Sequence, residues 1–295
     1  MNVGKVSENY STGIKPGDGG GAMFIWGGDS NYSTFTMNGG VISGNMAKNG
    51  GAGGAVHIDH GSGGMAAFIM TGGLLSRNKA ADENGTGSNL GGAIYVKNGG
   101  QIKLGGSAVI EVKDDGNDIW LAEKSLDNKE ISVKITGRLT PGNNNDAKNQ
   151  KYTARITPQN YKVGRTLITA DSGVTLKGEV GKFCVTGNAV SDEWFITTEG
   201  KLSKPAAISS LPPSTDFSIY PKLTVSSGDE MGKLADWVNA GNNMEGVTFT
   251  LLNDVTIDSM IGSVGNKFYG TFDGNGNTIT STRSLMSIFY CVEYG

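Results

Sequence analysis

Cysteine is nearly absent from this chain: Cys184 and Cys291 are the only two in 295 residues, far apart and in unlike surroundings. That excludes a disulfide framework and a cysteine-based metal site. Histidine is as scarce, with His57 and His60 alone, and no Cys/His pair of the nucleophilic kind is in view. Charged residues make up 18%, with a formal net charge of −3. This is too few for a solvated disordered tail or a charged helical rod. Lysine and arginine form no cluster beyond two or three residues, so a nucleic-acid footprint is excluded. No apolar stretch approaches the ~18 residues that a membrane-spanning helix needs. The opening MNVGKVSENY has no apolar run of the secretion-signal type. Seven prolines rule out collagen and a proline-rich rod. There is no nucleophile elbow, no phosphate-binding loop and no Gly-Gly-x-Gly-x-Asp calcium nonapeptide.

What is abundant is glycine, 47 residues, of which 28 lie within residues 1–106. Each interior glycine costs a helix ~1 kcal/mol relative to alanine, so this third of the chain is not helical. The glycines are periodic. Gly20-Gly-Ala-Met-Phe-Ile25, Gly53-Gly-Ala-Val-His-Ile58 and Gly91-Gly-Ala-Ile-Tyr-Val96 repeat one phrase at spacings of 33 and 38 residues, the longer one through a polar loop at 80–90. A second phrase runs Phe35–Gly40, Phe68–Gly73 and Ile102–Gly106, and a third Val41–Asn45 and Leu74–Asn78, echoed at Lys5–Asn9. Each alternates with period two between glycine or asparagine boundaries, which is the strand signature. Met23/Val56/Ile94 and Ile25/Ile58/Val96 are expected to face inward, Phe24/His57/Tyr95 outward. Phe35/Phe68/Ile102 and Met37/Met70/Leu104 make two more apolar columns.

Three short strands per ~33-residue unit describe a coil of a parallel β-helix, with equivalent residues stacked at ~4.8 Å. Asn9, Asn45 and Asn78 are expected to form one structural ladder, their amides bonding one another and their backbones suiting a left-handed turn. The third coil departs from this, with Ile110 in the serine column and Val112 in the asparagine column.

The Gly-Gly-Ala phrase and the wording FTMNGGVISGN resemble the polymorphic outer-membrane-protein type of right-handed parallel β-helix repeat found on bacterial cell surfaces. The resemblance covers residues 1–112. It implies an all-β solenoid, and a cell-surface, outer-membrane or secreted protein whose membrane association lies in other regions. Fold alone assigns no activity.

Residues 113–204 lose the glycine phrase but keep strand-like runs, and are read as irregular β-coils with a cap region similar to those that follow such repeats. Four prolines (Pro205, Pro212, Pro213, Pro221) mark 205–222 as a Pro/Ser linker. In 223–295, Ser227-Gly-Asp-Glu230 has capping-box spacing, with Met231, Leu234 and Val238 on one helical face and Gly241 as a stop. Strands Val247–Leu252 and Val255–Ile257 and the run Gly270-Thr-Phe-Asp-Gly-Asn-Gly-Asn-Thr-Ile279 follow. This resembles the capping helix and first coils of a second β-helix, so the chain is expected to be part of a longer surface protein.

Few residues suggest chemistry. His57 and Asp59 share a strand face, but a third metal ligand is lacking, and aromatic stacking suffices for His57. Asp114, Asp115 and Asp118 are a weak calcium candidate, since their composition also suits a turn. Asp273-Gly-Asn-Gly-Asn277 lacks the later residues of a calcium loop and reads as a turn. Polysaccharide lyases and hydrolases need converging carboxylates, or a bound calcium with a basic residue. Within 1–106 only Asp59 lies on a strand, and Arg77 is the sole arginine. Phe24, Trp26, Tyr32 and Tyr95 form a candidate outward surface for sugar or protein; packing between neighbouring strands explains Phe24 and Tyr95 equally. The expectation is therefore a non-enzymatic, adhesin-like scaffold that needs no cofactor, with a host matrix protein or surface glycan as partner. The alternative is a carbohydrate-active β-helix enzyme.

Overall fold

The period-two phrases become strands in the computed structural model, which describes residues 1–12, 19–28, 30–81, 90–113, 116–144, 150–187, 193–215, 217, 220–284 and 287–290. The chain divides into two units, Met1–Ser203 and Lys204–Gly295. In both, more residues lie in strands than in helices, and the strands pair mainly in parallel. No helix among the described residues is long and apolar enough to cross a membrane.

In the first unit the strands are β1 (Lys5–Ser7), β2 (Tyr10–Thr12), β3 (Met23–Gly27), β4 (Tyr32–Met37), β5 (Val41–Ser43) and β6 (Met46–Lys48). Then come β7 (Val56–His60), β8 (Met65–Ser76), β9 (Lys79–Ala80), β10 (Ile94–Asn98), β11 (Gln101–Ile110) and β12 (Ile119–Ser125). The last are β13 (Val133–Leu139), β14 (Ala154–Pro158), β15 (Ile168–Ala170), β16 (Phe183–Val185), β17 (Phe195–Ile196) and β18 (Leu202–Ser203). One sheet runs β3-β7-β10-β12-β14-β16; a second runs β1-β5-β8-β11-β13-β15, with β4 also on β8; a third is β2-β6-β9. All three are parallel, whereas β17 and β18 pair antiparallel.

The expected columns are in register. Met23, Val56 and Ile94 stand opposite one another, as do Ile25, Ile58 and Val96. Phe35, Phe68 and Ile102 align too, and Met37, Met70 and Leu104. The fully buried members of these columns contribute about 1.5–3 kcal/mol each relative to exposure. Gly53 and Gly91 open their strands in the left-handed region, at φ +70° and +71°.

The asparagine ladder forms and runs further than the repeats suggested. Asn9 Nδ2 donates to Asn45 Oδ1 at 2.9 Å, and Asn45 Nδ2 to Asn78 Oδ1 at 3.0 Å. Asn78 continues to Asn117, whose Oδ1 accepts from the Asn78 backbone N–H at 3.1 Å. The left-handed residue is not the asparagine but the one before it: Glu8, Gly44 and Arg77. Two expectations at the third coil need correction. Ile110 pairs with Leu75, so it lies in the buried apolar column and not with Ser76. Val112 does not fill the asparagine column, because Asn117 does. For Ile110 the cause is an extra residue in β11 between Leu104 and Ser107, a bulge that shifts the strand by one position; Asn117 joins the ladder from the stretch after β11.

In the second unit the strands are β19 (Ala206–Ala207), β20 (Lys222–Val225), β21 (Thr248–Leu251), β22 (Val255–Ile257), β23 (Thr271–Asp273) and β24 (Ile279–Ser281), with one helix, α1 (Gly228–Asn239). They pair in parallel as β19-β20-β21-β23 and β22-β24. The Ser227 hydroxyl caps α1 by accepting from the Glu230 N–H, and Met231, Leu234 and Val238 face the core. Burial pushes the Glu230 carboxyl up, but hydrogen bonds from Ser209 and Ser226 outweigh it and hold it below its ordinary range. Part of the stretch read as a linker is structured: it supplies β19, and Ile208 and Leu211 are buried in this core. Pro205 precedes those anchors and Pro212 and Pro213 follow them. At Asp273–Asn277 the structure has a turn, in which the Asn275 N–H donates to Asp273 Oδ1 at 2.9 Å.

Candidate functional site

Strands β3, β7, β10 and β12 carry the outward column that the alternation predicts. Phe24 pairs with His57, His57 with Tyr95, and Tyr95 with Trp120. The rings touch in series. Phe24 and His57 meet edge to face with centroids 4.9 Å apart, His57 and Tyr95 likewise at 4.9 Å, and Tyr95 stacks on Trp120 at 4.6 Å. Such pairs contribute about 0.5–1.5 kcal/mol beyond their buried area.

Exposure falls along the column. Phe24 and its neighbour Trp26 are 51% and 47% exposed, whereas His57 is 1%, Tyr95 9% and Trp120 8%. Tyr95 is therefore not part of an open binding surface; it is enclosed between His57 and Trp120. Burial, with Asp59 nearby, pushes its hydroxyl pKa up. Tyr32 is exposed but stands apart from this column, on β4 opposite Met65. It lines a cleft of ≈ 420 Å³ with His60, Gln101 and Lys129. The four aromatics thus split into an open pair, Phe24 and Trp26, a buried Tyr95 and a separate Tyr32. Trp120 went unforeseen because Gly116-Asn-Asp-Ile-Trp120 lacks the Gly-Gly-Ala phrase; its only signal was an aromatic two residues after Asp118.

The histidines have local roles. His57 Nδ1 lies 3.0 Å from the Gly19 carbonyl, and His60 Nδ1 2.7 Å from that of Gly61. Asp59 is held by Lys97 at 3.2 Å and by Asn98 Nδ2 at 2.8 Å. Among the described residues no group of three or more His, Cys, Asp or Glu is placed to hold a metal. Asp114 and Asp115 lie outside the described residues.

Asp118 is described, and its side chain is buried. Its carbonyl accepts from the Ala93 and Ile94 N–H groups, as the Ala93 carbonyl accepts from those of Ala55 and Val56. Asp118 thus occupies the alanine position of the phrase. Its Oδ1 accepts from the Gly92 N–H at 2.9 Å. Burial drives its carboxyl pKa up, against the hydrogen bonds of Thr157 and Gly92 and the charge of Arg155.

This carboxyl borders a cavity of ≈ 400 Å³ with Trp120, Arg155, Thr157, Gln159, Tyr161 and Thr186. The Tyr161 hydroxyl donates to the Thr186 carbonyl at 2.7 Å, and burial beside Asp118 pushes it up to about 12. The Thr157 and Thr186 hydroxyls are 2.6 Å apart. Arg155 Nη2 donates to the Val112 carbonyl at 2.9 Å. One aromatic wall and a ring of hydrogen-bonding groups suit the binding of a polar ring.

A raised carboxyl pKa has a checkable sign. The folded state holds the Asp118 proton more tightly than the unfolded chain, whose value is ~3.9. The resulting stability is complete below about pH 4 and is lost as pH rises through the elevated folded value. Urea midpoints of the wild type minus those of Asp118→Asn are expected to fall as the pH is raised from 4. A difference that stays constant with pH would show that the carboxyl is not perturbed.

No protein-family model, curated protein or solved structure matches this chain.

Proposed function

We propose that residues 1–203 are a right-handed parallel β-helix of the polymorphic outer-membrane-protein type, and that 204–295 begin a second. On this reading the chain is a non-enzymatic, adhesin-like scaffold of the bacterial cell surface or secreted space. It presents its loops and the open pair Phe24 and Trp26 to a host matrix protein or a surface glycan. The observation that carries the reading is the continuity of register: equivalent residues stay opposite one another through successive parallel strands. Repetition of that kind makes a rigid rod with one surface pattern along it, which serves presentation and needs no reacting group. The exposed aromatics add contact area at small entropic cost.

The full chain is expected to be retained saturably on immobilised matrix proteins or glycans. The double substitution Phe24→Ser/Trp26→Ser should weaken retention about tenfold, equivalent to ~1.4 kcal/mol, without changing the circular dichroism spectrum. A polysaccharide panel should yield no reducing or unsaturated sugar. Release of such sugar would support the carbohydrate-active alternative, and absence of saturable retention on every surface would remove the adhesive role.

A further inference from the structure

The outward column of β3, β7, β10 and β12 changes character at its far end. After Phe24, His57, Tyr95 and Trp120, the residue opposite Trp120 on β14 is Thr157, and Thr186 follows beside it. Two small hydroxylated side chains stand where the pattern would place further rings. The space they leave is the ≈ 400 Å³ cavity bordered by Trp120, within the size range of small-ligand sites, ~300–1,000 Å³.

We propose that this cavity is a subsite for one neutral pyranose residue of a glycan, packed against Trp120. The inference rests on the reading of this chain as a glycan-contacting scaffold, and it names a place and a ligand class within it. Trp120 is stacked on Tyr95 and only 8% exposed, so it offers the C–H groups of a sugar the small part of its indole that borders the cavity. The hydroxyls at the sugar's edge need donors and acceptors at several angles, which Asp118, Arg155, Thr157, Gln159, Tyr161 and Thr186 provide around one space. Gln159 Oε1 already accepts from the Glu123 N–H at 2.9 Å, so its amide nitrogen is the group to donate to a ligand. Arg155 shares the cavity with the Asp118 carboxyl and already donates to the Val112 carbonyl, which suits a neutral sugar better than a uronate.

Saturation-transfer NMR and tryptophan fluorescence on the full chain, with methyl glycosides of neutral hexoses, methyl glucuronide and adenosine, test this directly. Binding of at least one neutral glycoside in the millimolar range is expected. Thr186→Tyr, which extends the aromatic column into the cavity, should weaken it at least tenfold, and Gln159→Glu, which keeps the acceptor and removes the donors, several-fold. Unchanged circular dichroism would accompany both losses. Binding of only the glucuronide or adenosine overturns the proposal, as does no binding, or affinity untouched by both substitutions. Failure here with surface retention intact would sink the subsite alone. Glycoside binding without surface retention would sink the adhesive role alone.

Discussion

Gly54→Ala is expected to abolish the ordered structure of the parallel strands around it, a loss of about 4 kcal/mol or more against a typical total of 5–15 kcal/mol. The reason is space, not backbone conformation. A Cβ at Gly54 would lie 2.2 Å from the Gly92 carbonyl oxygen and 2.4 Å from the Lys79 nitrogen. Both are backbone atoms fixed in parallel pairing, so neither can swing away. The same conflict recurs along the stack: a Cβ at Gly21 would meet the Gly54 oxygen at 2.1 Å, and one at Gly92 the Gly116 oxygen at 1.5 Å. Relief would require the coils to separate there, breaking hydrogen bonds such as Gly54 N–H to the Gly91 carbonyl at 3.0 Å. Gly137, in β13, is the control, because a Cβ there meets nothing within 4 Å. Gly137→Ala should change stability by at most ~1 kcal/mol, and in the stabilising direction. Hydrogen exchange read peptide by peptide over residues 40–120, with thermal melts, distinguishes the outcomes. Equal melting of Gly54→Ala and Gly137→Ala would show that the coils do not approach so closely.

These glycines were visible as a repeat before any coordinates, but only half of their meaning was. Period-two alternation located the strands and paired Met37 with Met70, or Phe24 with His57, because a parallel stack sets equal residues opposite one another. The asparagine ladder could be read for the same reason. Register failed where a bulge intervened: Gly105-Gly106 imitates Gly72-Gly73, so nothing in the letters marks the extra residue that moves Ile110 into the buried column. Burial of the outer face was also hidden. His57 and Tyr95 alternate like solvent-facing residues, yet rings stacked on neighbouring strands enclose them. The cavity was harder still. Asp118, Trp120, Arg155, Tyr161 and Thr186 come from three separate stretches without a shared phrase, and the pairings of β12 with β14 and of β14 with β16 bring them together. Prolines misled at 205–222 because composition reports where a chain can turn, not whether Ile208 between the turns finds a core.

Arg165→Met is expected to destabilise the first unit by about 3–5 kcal/mol, the second large effect. This arginine sits between β14 and β15 in the stretch read as a cap region, and its side chain is almost wholly buried at 2% exposure. Pairing of β12 with β14 ends at Leu121 opposite Pro158. Just there Arg165 Nη2 donates to the carbonyls of Leu121 at 3.1 Å and Ala122 at 2.7 Å, while Nη1 donates to that of Asn160 at 2.9 Å. The guanidinium ties the loop to a strand more than forty residues earlier. Burial draws its pKa down, and the charges of Glu123 and Glu130 act against that. Methionine matches much of the volume but removes these donors: the Leu121 carbonyl keeps the Gln159 N–H at 2.9 Å, while those of Ala122 and Asn160 lose theirs in an enclosed site, each costing ~1–3 kcal/mol unless water enters. Lysine keeps the charge but has no planar fork to reach carbonyls on both sides. Arg165→Lys should therefore fall between the wild type and Arg165→Met in urea denaturation. In hydrogen exchange, loss of protection should begin at residues 119–125 and 154–170. If Arg165→Met denatures at the wild-type midpoint, those carbonyls are satisfied without the guanidinium, and Arg165 does not hold the loop to the stack.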